Sequence, residues 1–453
     1  MLDFYLLKVG HGKFSKLYIL ELFRILYLRK ELDRTKKELE KYKKPPKNSG
    51  NSSMPSSKDL WTKKYPQRPS SNLKVGGQFG HVGKNKPLFD SVDEIVSINP
   101  SICQYCGCEH FIEQNNNMQK RQLVDIAEIK PYVVEYQRKD LICANCKRKN
   151  KGNFPIKGNV ELGENIEKLI AYFNVQHHIS YERLTQIFNE VFGLKVAYGT
   201  VDKKIKKISE HLKSHNESIL EGLKNSHIIG SDETGMRINK TNSYVWTFQN
   251  DKYSYFTSAK NRGFSTVKET IGDEFDGVWV SDRFGSQLKI KAQHQLCLAH
   301  LKRDCKYIEE AEQSQWAKEL REVLEESIKF KNKEGEFYNP LKAETFLEKR
   351  KLKEGLEELF KEIPDKKEEK RLYSQLYNKR HQILLFLEDI RIPPTNNGSE
   401  QALRNRVTKR KVSGCFRSET GAYCNDRIAS VIETAKKQGV NILNALSPNF
   451  SFA

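Results

Sequence analysis

HIIGSDETG (residues 227–235) and GVWVSDRFG (277–285) each pass from a short apolar run into an aspartate, Asp232 in the first and Asp282 in the second. Between them lie SYVWTFQN (243–250) and YSYFTSAK (253–260), β-branched and aromatic runs whose gaps suit antiparallel hairpins. A helix is expected at about 263–271, GVWVSD then forms a fourth strand, and a fifth falls near HQLCLA (294–299). This β-β-β-α-β order predicts an α/β core. Asp232 and Asp282 each sit where a buried strand emerges at the edge of the sheet, so neighbouring strands would bring both carboxylates to one point. Two carboxylates so placed repel unless a cation lies between them. A hard divalent ion, Mg²⁺ or Mn²⁺, suits such oxygen ligands. Taken singly, an aspartate at a strand end is more often a turn or cap residue. The pair, in this strand order, carries the signal.

Upstream of the strands, residues 164–215 read as helical. IEKLIAYFNVQH (166–177) has apolar 3- and 4-spacing, and YERLTQIFNEVFG (181–193) and the lysine-rich YGTVDKKIKKISEHLK (198–213) flank a break at Gly193. The last two resemble a helix-turn-helix whose second helix enters a major groove; an ordinary helical hairpin fits the same pattern. Further upstream, Cys103 and Cys106 form one C-x-x-C pair, and Cys143 and Cys146 another after 36 intervening residues. The gap holds alternating stretches, QLVDIAEI (122–129) and YVVEYQR (132–138), read as strands. Two such knuckles suit a tetrahedral four-thiolate structural Zn²⁺, with Cys108 and His110 as bystanders. A closed site of that kind folds a small nucleic-acid-binding module and leaves no position for catalysis.

Residues 17–43 read as one helix in which Ile25, Leu32 and Leu39 recur every seven residues, with Leu28 between them. A short coiled coil and a single amphipathic helix packed on its own protein both fit. From Lys44 the chain turns to Ser, Asn, Gly, Pro and Lys, a composition expected of a basic flexible linker. Beyond the fifth strand, residues 299–389 are helical and highly charged. RIPPTNN (391–397) then leads into a helix beginning near Gly398, with Asn396, Asn397 and Ser399 as cap candidates and Glu400 in its first turn. A final helix is expected around 426–439.

Across its 453 residues the chain carries 78 Lys and Arg against 58 Asp and Glu, a net charge of +20 that would draw a polyanion. No stretch approaches the roughly 18–20 apolar residues needed to span a bilayer. The N-terminus shows no secretory signal. Five of nine cysteines fall between 103 and 146, which fits metal binding in a reducing compartment better than a disulfide framework.

The ordered set SDETG (231–235), VWVSDRFG (278–285), QLCLAHLKRD (295–304) and PPTNNGSEQALR (393–404) resembles the insertion-sequence-66-type transposases, a branch of the DDE transposases. NSSMPSS (51–57), GGQFGH (76–81), the cysteine module and VIETAKKQG (431–439) extend the resemblance over nearly the whole chain. The family's usual Asp-Asn-Asn before its glutamate stands here as Thr395-Asn396-Asn397.

The resemblance implies a ribonuclease-H-like core with a helical insertion, and a triad of Asp232, Asp282 and Glu400. Without the resemblance, Glu400 reads as a first-turn residue complementing the helix dipole. Two Mg²⁺ or Mn²⁺ ions on this triad would serve both DNA cleavage and joining of the 3′-ends to target DNA. His300 and Arg303 fall on the family's Cys-x-Ala-His-x-x-Arg segment, where a role beside the metal and a packing or capping role are equally open. Cys297 fits a buried apolar position. Arg404, Arg406, Lys409 and Arg410 read as phosphate contacts, and Trp246 and Phe416 as core or interface residues.

The 118 positions between Asp282 and Glu400 indicate an inserted helical domain. Seven segments are therefore expected: 1–43 helix or coiled coil, 44–96 linker, 97–155 zinc module, 156–222 helical DNA-binding region, 223–309 and 391–453 core, and 310–390 insertion. The implied partners are transposon-end and target DNA, further copies of the chain and element-encoded accessory proteins, in a bacterial or archaeal cytoplasm, with no membrane. Two other functions fit parts of the pattern: a non-catalytic regulator derived from a transposase, and a ribonuclease-H-like nuclease that only hydrolyses.

Overall fold

The computed structural model describes residues 16–43, 45, 47, 48, 50, 51, 87–111, 119–334 and 343–452. The chain forms two units, one of residues 62–153 with 187–195 and the other of residues 1–61, 154–186 and 196–453.

In the larger unit, helix α1 (Lys16–Lys43) leaves Ile25, Leu28, Leu32 and Leu39 exposed along an unburied seam. Most of the expected linker, residues 52–86 and GGQFGH with it, lies outside the described residues. At its start the Asn51 side chain donates to Glu310 Oε2 at 2.9 Å, and Lys47 lies 4.8 Å from the centre of the Tyr307 ring.

The smaller unit holds the cysteines. Strands β1 (Leu141–Ile142) and β2 (Lys149–Asn150) make a short antiparallel hairpin. Residues 122–138, expected as strands, have no regular secondary structure. Leu123, Ile126, Tyr132 and Val133 from these stretches are all exposed, so no ladder or packed face turns their β-prone residues into a sheet.

Four helices precede the sheet: α2 (Glu164–Val175), α3 (Tyr181–Phe192), α4 (Tyr198–His211) and α5 (Lys213–Lys224). Gly193, with φ of +63°, makes the expected break. On α4, Lys204 and Lys207 both bind the buried Glu167 of α2, at 2.6 and 2.8 Å. That consumes two of the cations expected in a groove-reading helix.

The sheet has the order β5-β4-β3-β6-β7, built from β3 (Ile228–Ile238), β4 (Thr241–Gln249), β5 (Ser254–Ala259), β6 (Glu274–Ser281) and β7 (Lys291–Leu296). Helix α6 (Phe264–Thr270) joins β5 to β6. β3, β4 and β5 are antiparallel to one another, whereas β6 and β7 run parallel to β3. β3 does not stop at Asp232. The ladder to β4 carries it through Glu233↔Trp246 and Thr234↔Val245 to a two-residue turn at Asn239 and Lys240, both with positive φ. Asp232 is thus mid-strand, beyond the last pair that β3 makes with β6.

One face of the sheet is aromatic. Trp246, Phe248, Trp279 and Phe275 form a chain with ring centroids 6.0–6.2 Å apart. Each such side chain contributes about 1.5–3 kcal/mol by burial. On the other side Val278 and Val280 share a core with α7 (Leu298–Glu312), α8 (Gln315–Glu334), α9 (Ala343–Leu359) and α10 (Lys367–Leu376). The expected helical insertion is therefore continuous in packing with the strands. Helix α11 (Asn397–Ser413) returns to β3, and the short β8 (Cys415–Phe416) pairs with that strand's end. Helix α12 (Glu419–Lys437) lies along the edge strand β5, where Ser430 and Thr434 hydroxyls accept the Phe256 and Ser254 N–H groups. That covers an edge which would otherwise be open to pairing. A last turn, α13 (Ile442–Ala445), follows. Among the described residues no helix is long and apolar enough to cross a membrane.

Candidate active site

β3 and β6 pair in parallel through Ile228↔Val278, Ile229↔Trp279 and Gly230↔Val280. Asp232 and Asp282 each lie two residues past the last of these pairs, so alternation puts them side by side on one face. Asp232 Oδ1 accepts the Glu233 N–H at 2.9 Å, and Asp282 Oδ1 accepts the Phe284 N–H at 2.9 Å. Burial holds the Asp232 carboxyl well above the usual carboxylate range, reinforced by the charges of Glu233, Asp282 and Glu400. Such a concentration of negative charge fits a divalent cation.

Glu400 reaches the pair through the loop before α11. The Asn396 side chain donates to Ser231 O at 2.7 Å, and its backbone N–H donates to Cys297 Sγ at 3.1 Å. Ser399 Oγ donates to Asn396 Oδ1 at 2.6 Å and accepts from Gln249 Nε2 at 3.2 Å. Leu298 N–H donates to Pro394 O at 3.0 Å. Asn396 stands at the helix cap, yet its side chain is spent on β3 rather than on capping. The loop fits because Gly230 has no side chain: a Cβ there would come within 2.6 Å of Gln249 Nε2 and 2.8 Å of Ser399 Oγ.

His300 Nε2 lies 3.0 Å from Glu400 Oε1. That hydrogen bond, with the charges of His300, Arg303 and Arg404, holds Glu400 below the usual value against its burial. The site is electrically uneven, with cations around Glu400 and anions around Asp232. Cys297, His300 and Glu400 also bring one ligand atom each within 4.8 Å of one another. Burial pushes the Cys297 thiol up, and the thiol already accepts the Asn396 N–H, so Cys297 acts as a clamp on the loop.

The four cations expected as phosphate contacts on α11 separate by burial. Arg404 is exposed. Arg406 is 1% exposed, bound to Asn425 Oδ1 and lying over the Phe256 ring. Lys409 is buried against the Phe416 ring, and Arg410 is held on Thr234 Oγ1 and Gly235 O. Arg406 and Lys409 are thus packing cations without a face for phosphate. In a helix where four cations fall within seven residues, only burial distinguishes them. Trp246 and Phe416 are buried, as expected of core residues.

In the smaller unit the two C-x-x-C segments have one geometry. Gly107 N–H donates to Cys103 O and Lys147 N–H to Cys143 O, each at 2.9 Å, with positive φ at Gly107 and Lys147. Backbone N–H groups of Tyr105 and Cys106 hold the Cys103 thiol below its usual value, and those of Cys146 and Asn145 do so for Cys143. Among the described residues the four sulfurs are not gathered into one cluster.

The family model for the transposase IS66 family matches residues 160–423, more than half of the chain. The chain belongs to the IS66 transposase family. The match spans all three carboxylates, His300 and the helices between them, and leaves the cysteine segments outside. This IS66-family chain is also 36% identical over 76 residues to an uncharacterized protein, y4jO, of Sinorhizobium fredii (strain NBRC 101917 / NGR234). That alignment covers 17% of this chain and 24% of the relative, so the chain spans about a quarter of the relative's length.

Sequence reasoning passed over a group on the opposite face of β3. Glu233, its side chain fully buried, accepts from Arg262 Nε at 2.8 Å and from Gln287 Nε2 at 2.6 Å. An acidic residue next to a candidate ligand in SDETG was the available signal.

Proposed function

We propose that this chain is a DNA transposase that cuts and joins DNA strands with Asp232, Asp282 and Glu400 as the ligands of Mg²⁺ or Mn²⁺. The observation that carries the reading is the in-register placement of Asp232 and Asp282 on neighbouring parallel strands, with Glu400 tied to the same strand by Asn396. The strand order supports a ribonuclease-H-like core. Bound ions would activate a water or a DNA 3′-hydroxyl for attack on phosphorus and stabilise the leaving oxygen. The protein's part is orientation: the two aspartates are fixed by the sheet, and Glu400 is kept ionised by His300, Arg303 and Arg404. Arg404, exposed one helical turn beyond Glu400, is placed to meet a DNA phosphate.

Cys103, Cys106, Cys143 and Cys146 hold Zn²⁺ in this reading, supported by thiols already lowered by backbone N–H groups. The partners are transposon-end DNA, target DNA, accessory proteins of the same element and further copies of the chain. The exposed apolar seam of α1 supports self-association. Action on a bacterial or archaeal genome places the protein in the cytoplasm.

The test is a cleavage and joining assay on duplexes carrying the element's ends, with Mg²⁺ or Mn²⁺. The parent chain should both nick and join, while Asp232→Asn, Asp282→Asn and Glu400→Gln should fall to background. Cleavage without joining would indicate a hydrolytic nuclease, and end binding without cleavage a regulator.

A further inference from the structure

The Asp232 face of the sheet carries the candidate ligands; the reverse face carries a second polar cluster, in which Ser231, Glu233 and Gln287 are buried and Arg262 reaches in from the surface. Ser231 and Glu233 point there together, since they flank Asp232 in the alternating strand. Both bind Gln287, which is 0% exposed: Ser231 Oγ donates to its Oε1, and its Nε2 donates to Glu233 Oε2 at 2.6 Å. The other Glu233 oxygen takes Arg262, whose guanidinium lies 4.0 Å from the centre of the Phe284 ring. Phe284 in turn donates its backbone N–H to Asp282 Oδ1 at 2.9 Å. Gln287 and Phe284 belong to the loop that follows Asp282, joined to each other by Gln287 N–H donating to Phe284 O at 3.0 Å.

With Arg262 40% exposed, this pair is a weak source of stability, because solvent screens the arginine while desolvation of Glu233 offsets much of the attraction. Its geometry is more telling. Ser231 and Glu233 on β3, the strand of Asp232, meet Gln287 of the Asp282 loop directly, and Glu233 reaches Phe284 of the same loop through Arg262.

We infer that Glu233, Arg262 and Gln287 are positioning residues that fix the Asp282 loop against β3 and so set the spacing of the two metal-binding aspartates. The inference rests on the reading that Asp232 and Asp282 bind metal. Loosening the brace should weaken metal binding without removing a ligand, and outer contacts of this kind are typically worth about 10- to 100-fold in metal affinity or activity.

The experiment measures Mn²⁺ binding by the loss of its free-ion electron paramagnetic resonance signal. The metal concentration for half-maximal strand cleavage is measured alongside, in the full chain and in Glu233→Gln, Arg262→Lys, Gln287→Met and Asp232→Asn. Far-UV circular dichroism and the melting temperature monitor folding. The expected result is a rise of about tenfold in the half-saturating metal for the three brace variants, with cleavage largely restored at high metal and an unchanged fold. Arg262→Lys, which keeps the charge, should lie between the parent and Glu233→Gln. Unchanged metal dependence in Gln287→Met and Arg262→Lys, both folded, would overturn the inference even if Glu233→Gln misfolds. If Asp232→Asn binds Mn²⁺ as tightly as the parent, the metal-site reading fails instead.

Discussion

Gly230 lies two residues before Asp232, and the space it leaves empty is filled by the Gln249 and Ser399 side chains. Gly230→Ala should displace the loop that carries Glu400, costing about 1–3 kcal/mol of stability as overpacking does. It should lower strand cleavage by considerably more than that loss of folding explains, which a melting curve beside a cleavage assay would show. The two arginines of α11 give a paired prediction. Arg404→Ala should weaken DNA binding evenly across sequences and reduce the salt-dependence slope by about 1. Arg406→Ala should instead lower the melting temperature, because it vacates a buried site held by Asn425. Asp426 gives a third. Burial raises its carboxyl to about 6, against the opposing effects of the Ser258 hydrogen bond and the Arg406 charge. The folded chain therefore holds this proton more tightly than the unfolded one. Its contribution to stability is full below about pH 4 and is lost as pH rises through 6. Asp426→Asn should accordingly gain on the parent as pH rises from 4 to 7, which denaturant titrations at the two pH values would show. The side-by-side placement of Asp232 and Asp282 was legible in the sequence because each ends an apolar run. Arg406 and Lys409 were not, since burial of a cation leaves no mark in a run of like charges.

Single elements show why some segments were legible and others were not. β4, β5, α6 and β6 fall close to where β-branched runs and helical spacing put them. β3 runs six residues further than its apolar segment, through Ile238, because a ladder to β4 holds polar Glu233 and Thr234 in place. Cross-strand pairing of that kind is not written in local hydropathy. The stretch 122–138 shows the converse, alternation without a partner. Glu400 was the least legible of the site residues. Its approach depends on Asn396, Gly230 and Ser399, three residues that singly read as a cap, a strand glycine and a cap. The paired cysteine turns were legible from spacing, and they yield a prediction for that unit. Metal analysis of purified chain should find Zn²⁺, and Cys143→Ser should release it and reduce DNA binding while leaving the fold of the catalytic sheet intact by near-UV circular dichroism. Retention of full Zn²⁺ by Cys143→Ser would remove Cys143 from the ligand set.

For the whole molecule, a net charge of +20 suits a polyanionic partner, while the carboxylates around Asp232 suit a divalent cation, and the proposed function joins the two. The helices between Asp282 and Glu400 share one hydrophobic core with β6 and β7, so the long interval in sequence becomes a short one in space. That packing lets the chain return to β3 with Glu400, 118 positions after Asp282, as the proposed metal site requires. The most direct measurement of this claim is the anomalous scattering of Mn²⁺ in crystals of the chain bound to end DNA. Density is expected between the Asp232 and Asp282 carboxylates and within ligand reach of Glu400, absent from Asp232→Asn crystals. Density seated on Cys297 and His300 alone, with Asp232 and Asp282 free of metal, would contradict it.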